Sequence, residues 1–66
     1  MKIGIDLGGS HIGVGVIDNK NFIIEKVEKR LLAKDKKDVK KIIESYIIKN
    51  VKEFSSKYKI TEIGIA

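Results

Sequence analysis

The chain of 66 residues contains no cysteine, only one arginine and no long hydrophobic run. Without cysteine, neither disulfides nor a cysteine-based zinc site can stabilise so short a chain. A domain of this size buries only about 60% of its unfolded surface, so its stability depends on its core or on a partner's surface. No apolar stretch approaches the roughly 20 residues that span a bilayer, and the N-terminus does not resemble a signal peptide. These absences favour a soluble protein in the cytoplasm, with no membrane partner.

The charge of the chain is positive, with a formal net value of +5. All of the basic residues except Arg30 are lysines, and they lie mainly between Lys26 and Lys59, where they are interleaved with acids. This pattern is typical of a solvated surface, whereas a nucleic-acid site needs clustered arginines and aromatic stacking residues. Nucleic acid is therefore an unlikely partner, while a general attraction for anions such as nucleotides remains consistent with the charge.

Hydrophobic spacing predicts four strands and one helix. "KIGIDL" and "HIGVGVID" alternate with period two, and a helical stripe extends from Val39 to Tyr58. The third strand carries many charges, which is typical of an edge strand. Asp35 is the predicted N-cap of the helix, with Asp38 completing a weak capping box. The predicted elements are strands at about residues 2–7, 11–18 and 22–32, a helix at about 36–58 and a strand at about 60–66.

The order β-β-β-α-β predicts an α/β fold with a mixed sheet. Two tight turns make the first three strands an antiparallel meander. The long helix is a crossover that places strand four parallel to strand one. One helix covers one sheet face only.

The other sheet face is rich in glycine and has no predicted cover. It carries Gly4, Gly13, Gly15 and Gly64, and strand glycines often mark the close approach of another backbone. The chain also stops within the apolar strand "IGIA", and we therefore expect residues 1–66 to be part of a larger domain. The open face predicts self-association, as a homo-oligomer, or contact with another chain.

The first turn combines glycines with an acid, in Asp6-Leu7-Gly8-Gly9-Ser10. It is neither a P-loop, because Val14 occupies the lysine position, nor a dinucleotide fingerprint, because no helix follows. Turned-out N–H groups at Gly8 and Gly9 can bind an anion, and the Ser10 hydroxyl can donate to phosphate. A plain Gly-Gly hairpin with Asp6 capping the turn explains the spacing about as well.

"IGIDLGGSHIGVGVID" resembles the first phosphate motif of the ROK family (repressors, open reading frames, kinases). These sugar kinases, many of them glucokinases, share a ribonuclease H-like nucleotide-binding fold with actin and the heat-shock ATPases. The element order of the whole chain is similar to their N-terminal lobe, although only the first 18 residues carry specific identity. Because the first strand begins at Lys2, with no room for the winged helix of the repressor branch, we expect the kinase branch or an uncharacterised relative.

The resemblance implies an ATP-dependent transfer of the γ-phosphoryl group to a sugar hydroxyl. It places Gly8, Gly9, Ser10 and His11 at the ATP phosphates and Asp6 at a water-mediated Mg²⁺ ion. Ser10 replaces the usual threonine and keeps the hydroxyl, whereas His11 replaces the usual lysine and brings less charge. Asp18 is either a family-like acid or a turn residue, and we favour the turn.

The family's catalytic aspartate, sugar-binding residues, zinc segment and adenosine pocket match nothing in this chain. We therefore expect no catalytic residue in residues 1–66, no sugar phosphorylation by this chain alone and weak nucleotide binding at best. The main alternative is a free-standing interaction or self-association module built on the same half-fold.

Overall fold

A computed structural model describes residues 1–32 and 37–65 of the chain. The chain forms β1 (Lys2–Leu7), β2 (His11–Ile17), β3 (Ile23–Arg30), α1 (Val39–Lys57) and β4 (Glu62–Ile65). The four strands make one sheet in the order β3-β2-β1-β4. β2 is antiparallel to both β1 and β3, and β4 is parallel to β1. The predicted β-β-β-α-β arrangement, with strand four parallel to strand one and one helix, is confirmed.

The core lies between the sheet and one side of α1. Alternate strand residues turn their side chains to this side, and Phe54 of the helix packs on them with 2% of its surface exposed. The buried strand residues of this cluster are Ile3, Ile5, Val14 and Val16. They are the residues that the period-two pattern assigns to one face, because successive strand side chains point to opposite faces.

The β2–β3 connection is a side-chain-stabilised turn. The Asp18 carboxylate oxygen Oδ1 accepts the backbone N–H groups of Lys20 and Phe22, each at 2.9 Å. Asn21 has a φ of 66°, a left-handed conformation that asparagine tolerates better than most residues. Asp18 is thus a turn residue, as favoured from the sequence.

Four strand boundaries differ slightly from the prediction, each for a local reason. The turn takes up Asp18 and Phe22, so β2 ends at Ile17 and β3 begins at Ile23. β3 ends at Arg30 because Arg30 faces His11, the first residue of β2. β4 begins at Glu62, since the N–H of Thr61 is bonded to the Met1 carbonyl before the parallel pairing starts. The predicted last residue of β4, at position 66, lies outside the described residues.

The start of α1 corrects the predicted capping box. Asp38 is itself the N-cap, and its carbonyl accepts the N–H of Ile42 at 2.9 Å. The Asp38 side chain makes no capping hydrogen bond. With the helix starting at Val39, Asp38 cannot be the third helical residue of a box. The predicted cap Asp35 and the predicted helix start at 36 lie outside the described residues. The helix ends at Lys57, one residue before the prediction.

A polar contact fastens the C-terminal end of α1 to β3. The Glu25 carboxylate accepts the Tyr58 hydroxyl at 2.9 Å and the Lys57 ammonium at 3.1 Å. These hydrogen bonds, first that of Tyr58 and then that of Lys57, hold the pKa of Glu25 below its usual value. The same contact raises the pKa of Tyr58 and of Lys57.

Over the described part of the chain, α1 is not long and apolar enough to cross a membrane.

Candidate phosphate-binding turn

The β1–β2 hairpin turn is fixed by two backbone hydrogen bonds. The Gly8 N–H donates to the His11 carbonyl at 2.9 Å, within the hairpin. The Leu31 N–H donates to the Ser10 carbonyl at 2.7 Å and so ties the turn to the end of β3. The Gly8 amide is therefore engaged in the fold, and the predicted cradle is reduced to Gly9 and Ser10.

Packing restricts Gly8 and Gly9 of the turn differently. Neither adopts a positive φ, so backbone conformation does not demand glycine at either position. A Cβ at Gly8 would lie 2.6 Å from the Cε1 atom of His11, so the imidazole occupies that space. A Cβ at Gly9 would meet nothing within 4 Å. Hence Gly9 is not required by packing, and its backbone is open to the approach of a ligand.

Gly9 and Ser10 present hydrogen-bond donors that the fold does not use. Within residues 1–32 and 37–65, their amides and the Ser10 hydroxyl make no hydrogen bond, and both residues are exposed. Adjacent outward N–H groups and a hydroxyl are the donor set that binds phosphate oxygens in turn-type anion sites. Gly9 and Ser10 can therefore donate hydrogen bonds to a phosphate group without breaking a hydrogen bond of the fold.

Asp6 and His11 lie together beside this turn. The Oδ2 atom of Asp6 is 3.7 Å from the Nε2 atom of His11, and the two side chains are 60% and 44% exposed. The described residues include no group of three or more His, Cys, Asp or Glu side chains that could hold a metal ion. One exposed carboxylate fits only a Mg²⁺ ion that keeps its waters and is held mainly by substrate phosphates.

Arg30 is a candidate site residue that the sequence did not single out. It lies opposite His11 in the β2–β3 register, so both side chains start from the same sheet face, with Cβ atoms about 5 Å apart. Its neighbour Leu31 donates the bond to Ser10. The only arginine of the chain thus lies next to the turn, beside position 11, where the resemblance implies a lysine. That Arg30 is the single arginine could have marked it as a candidate from the sequence, but its place beside the turn depends on strand register.

A row of glycines crosses the sheet face opposite the helix. Gly64 of β4, Gly4 of β1 and Gly15 of β2 lie side by side in the register. A groove of about 450 Å³ follows this row, and its lining includes Ile17, Ile23 and Ile65. The glycine-rich open face predicted from the sequence is present among the described residues.

Part of this face is covered by the chain's own side chains. A Cβ at Gly13 would lie 3.4 Å from the Lys26 Cε atom, and one at Gly15 would lie 3.6 Å from the Lys26 Cγ atom. Lys26 also pairs with Glu28 at 2.9 Å, which lowers the pKa of Glu28 and raises that of Lys26. A Cβ at Gly64, by contrast, would meet no atom of the described residues within 4 Å, so the β4 end of the row is open with respect to them.

Comparison of the chain with known protein families, with curated proteins and with solved structures finds no match.

Proposed function

We propose that the Gly9–Ser10 turn binds nucleotide phosphates, and that the chain is the N-terminal phosphate-binding segment of a ROK-type, glucokinase-like sugar kinase. One observation carries this proposal. Gly9 and Ser10 hold unused donors in a turn that has Asp6 on one side and Arg30 on the other. The resemblance of the sequence around this turn to the ROK motif supplies the substrate class, ATP and a sugar.

Each residue has a positioning role in the proposal. The Gly9 and Ser10 amides and the Ser10 hydroxyl hold phosphate oxygens, and Arg30 adds the positive charge that His11 supplies less fully than lysine. Asp6 orients the waters of a magnesium ion, which when bound neutralises phosphate charge. Positioning and charge stabilisation are the main contributions of a protein to phosphoryl transfer. The proposal assigns no catalytic base to residues 1–66.

The test is an amide NMR titration with magnesium-ATP, read at Gly9 and Ser10. We expect saturable shifts at these two amides, with Arg30→Gln weakening the apparent affinity about tenfold, as the loss of one charge-assisted hydrogen bond implies. Arg30→Lys should retain most of the affinity, and Lys20→Gln, which removes a charge from the opposite end of the sheet, should leave it unchanged. Absence of shifts at millimolar nucleotide would exclude binding by this chain.

His11→Lys tests the link to the kinase motif. A lysine at this position restores the residue that the ROK motif carries and adds a full positive charge beside the turn. We expect tighter binding of magnesium-ATP. Weaker binding would show that His11 itself contributes more than charge, and it would count against the ROK-type arrangement.

A second candidate function is self-association through the glycine row. The observation that favours it is the groove of about 450 Å³, where a Cβ at Gly64 would meet no described atom within 4 Å and the lining includes Ile17 and Ile23. Such a face allows close approach of a second copy of the chain, with apolar surface removed from water.

The second candidate is tested by Gly64→Lys, with light scattering as the readout. The space at Gly64 is open, so the variant should fold normally while the new side chain blocks the row. Ile63→Lys is the matched control, because it adds the same charge one residue away on the opposite sheet face. If the wild-type chain associates and only Gly64→Lys dissociates it, the glycine row is the interface. Monomeric wild-type protein at micromolar concentration would reject this function.

A further inference from the structure

The two ends of the β3–α1 contact differ sharply in their charges. Near the C-terminal end of the helix, Glu25 of β3 joins Lys57 and Tyr58 in a closed polar contact. Val27 and Lys29 follow Glu25 at alternate positions of β3, so their side chains lie on the same side of the sheet as that of Glu25. Lys29 therefore meets the N-terminal half of the helix, and no carboxylate of residues 1–32 and 37–65 lines the groove between the two elements.

A groove of about 340 Å³ separates β3 and α1 at this end. Its lining contains three lysines, one from the strand and two from the helix, and no aspartate or glutamate among the described residues. The lining residues are Lys29, Lys41, Ile42, Ser45, Tyr46 and Lys49. Like charges on the two walls repel, so the walls cannot close by pairing with each other as the Glu25 end does.

The lysines of this groove form no ion pair with the described parts of the chain. None of the three lysines has a carboxylate within ion-pair distance there, whereas Lys26 and Lys57 both do. Glu53, four residues after Lys49 on the helix, is not within ion-pair distance of it. Glu28, whose charge reaches Tyr46, is already paired with Lys26 at 2.9 Å.

The groove also offers hydroxyl donors. Ser45 lies on the helix between Lys41 and Lys49, one turn from each, and Tyr46 follows it. Burial, with a smaller contribution from Glu28, raises the pKa of Tyr46. Tyr46 therefore remains a neutral phenol, whose O–H group can donate a hydrogen bond to an anion.

We propose that this groove, the β3–α1 lysine groove, binds a small ligand that carries several phosphate groups. Lys29 contacts it from the strand and Lys41 and Lys49 from the helix. Phosphate fits this arrangement because its oxygens point in several directions and can accept from lysines on both walls, and lysine binds phosphate as a point charge. The volume lies within the range of small-molecule pockets. This site is on the helix side of the sheet and is separate from the Gly9–Ser10 turn.

The experiment is an amide NMR titration with sodium tripolyphosphate at constant ionic strength. We expect saturable shifts at the Ser45, Tyr46 and Lys49 amides. The double variant Lys29→Gln/Lys49→Gln should bind about tenfold more weakly, because two of three charge contacts are removed. The matched control, Lys20→Gln/Lys59→Gln, has the same net charge but leaves the groove intact, and it should bind within about twofold of the wild type.

A parallel titration with magnesium-free ATP identifies the source of the phosphates. Equal affinity for ATP and tripolyphosphate assigns the groove to phosphate groups alone, and tighter binding of ATP assigns it to a nucleotide. Shifts confined to Gly9 and Ser10 would overturn the groove proposal while supporting the turn as a site. Equal weakening in the two double variants would also overturn it, because general attraction between opposite charges would then explain the binding.

Lys29→Glu gives a readout that a purely structural role would not produce. A glutamate at position 29 faces Lys41 and Lys49 across the groove and should pair with them, as Glu25 does with Lys57. We expect a higher melting temperature together with complete loss of tripolyphosphate shifts at Ser45 and Lys49. Retention of those shifts in this folded variant would refute the proposal.

Discussion

Phe54 is the side chain on which the attachment of α1 to the sheet depends most, so Phe54→Ala is the sharpest test of the fold. It is the only hydrophobic helix residue that is fully buried, with 2% exposure, and it packs on the Ile3, Ile5, Val14 and Val16 cluster. Truncation of a buried phenylalanine to alanine costs about 3–5 kcal/mol. A chain of 66 residues has a total stability of roughly 3–10 kcal/mol. The substitution should therefore remove about a third or more of the total stability, and at the lower end of that range it unfolds the protein.

The assay is equilibrium urea denaturation followed by far-UV circular dichroism, at two protein concentrations so that any contribution from association is seen. Phe54→Leu, which retains most of the volume, should lose no more than about 1.5 kcal/mol. Ile48→Ala, a truncation on the same helix at a side chain that is 55% exposed, should change the stability by about 0.5 kcal/mol or less.

The outcome that refutes the reasoning is a loss of less than about 1 kcal/mol for Phe54→Ala at both concentrations. Such a loss would mean that the helix is not held on the sheet by this side chain. Equal losses for Phe54→Ala and Ile48→Ala would likewise show that the burial of Phe54 does not determine the stability.

Three further predictions concern the two turns and the Glu25 contact. Asp18→Ala removes the acceptor of two backbone N–H groups and should destabilise the chain by about 1–2 kcal/mol in urea denaturation, with Asn19→Ala as a neutral neighbour; equal effects would contradict a turn-forming role for Asp18. Asn21→Val forces a β-branched residue into a φ of 66° and should cost about 1–2 kcal/mol, whereas Asn21→Gly should be tolerated; the reverse order would show that the left-handed conformation is not maintained. The Glu25 contact makes stability pH-dependent in two windows: the lowered pKa of Glu25 gives a contribution that is lost as pH falls below 4.5, and the raised pKa of Tyr58 gives one that is lost as pH rises above 10.0. Tyr58→Phe should reduce both losses in melting temperatures measured against pH, and an unchanged pH profile would exclude this contact as their source.

The sequence predicted the fold well because its strongest patterns are local. Strict alternation in β1 and β2 assigned Ile3, Val14 and Val16 to one face, and these side chains are buried there. Helical spacing around Phe54 located α1, although the predicted capping box is wrong, because Asp38 is the N-cap and its side chain makes no capping hydrogen bond. The exact ends of the strands and the helix depend on which residue forms the cap or the turn. That is fixed by hydrogen bonds such as the one from the Ile42 N–H to the Asp38 carbonyl.

The candidate sites could be predicted only in part. Asp6, Gly9 and Ser10 follow one another closely in the chain, so a sequence motif could place them in one turn. Arg30 is 20 residues from Ser10, and only the β2–β3 register brings it beside the turn. Gly8 had been expected to face phosphate, but its amide serves the hairpin and its missing Cβ leaves space for His11.

The strands, the helix, the buried stripe and the turn that resembles a phosphate motif could be predicted from the chain alone, because each depends on residues that are near neighbours in sequence. Which of these residues come into contact depends on how the strands pair and how the helix packs on the sheet. The tertiary structure aligned Gly64, Gly4 and Gly15 in one row, and it set Lys29 against Lys41 and Lys49 while pairing Glu25 with Lys57. The physical reason is that strand register and helix packing fix contacts between residues far apart in sequence, and a one-residue shift in register would exchange every face.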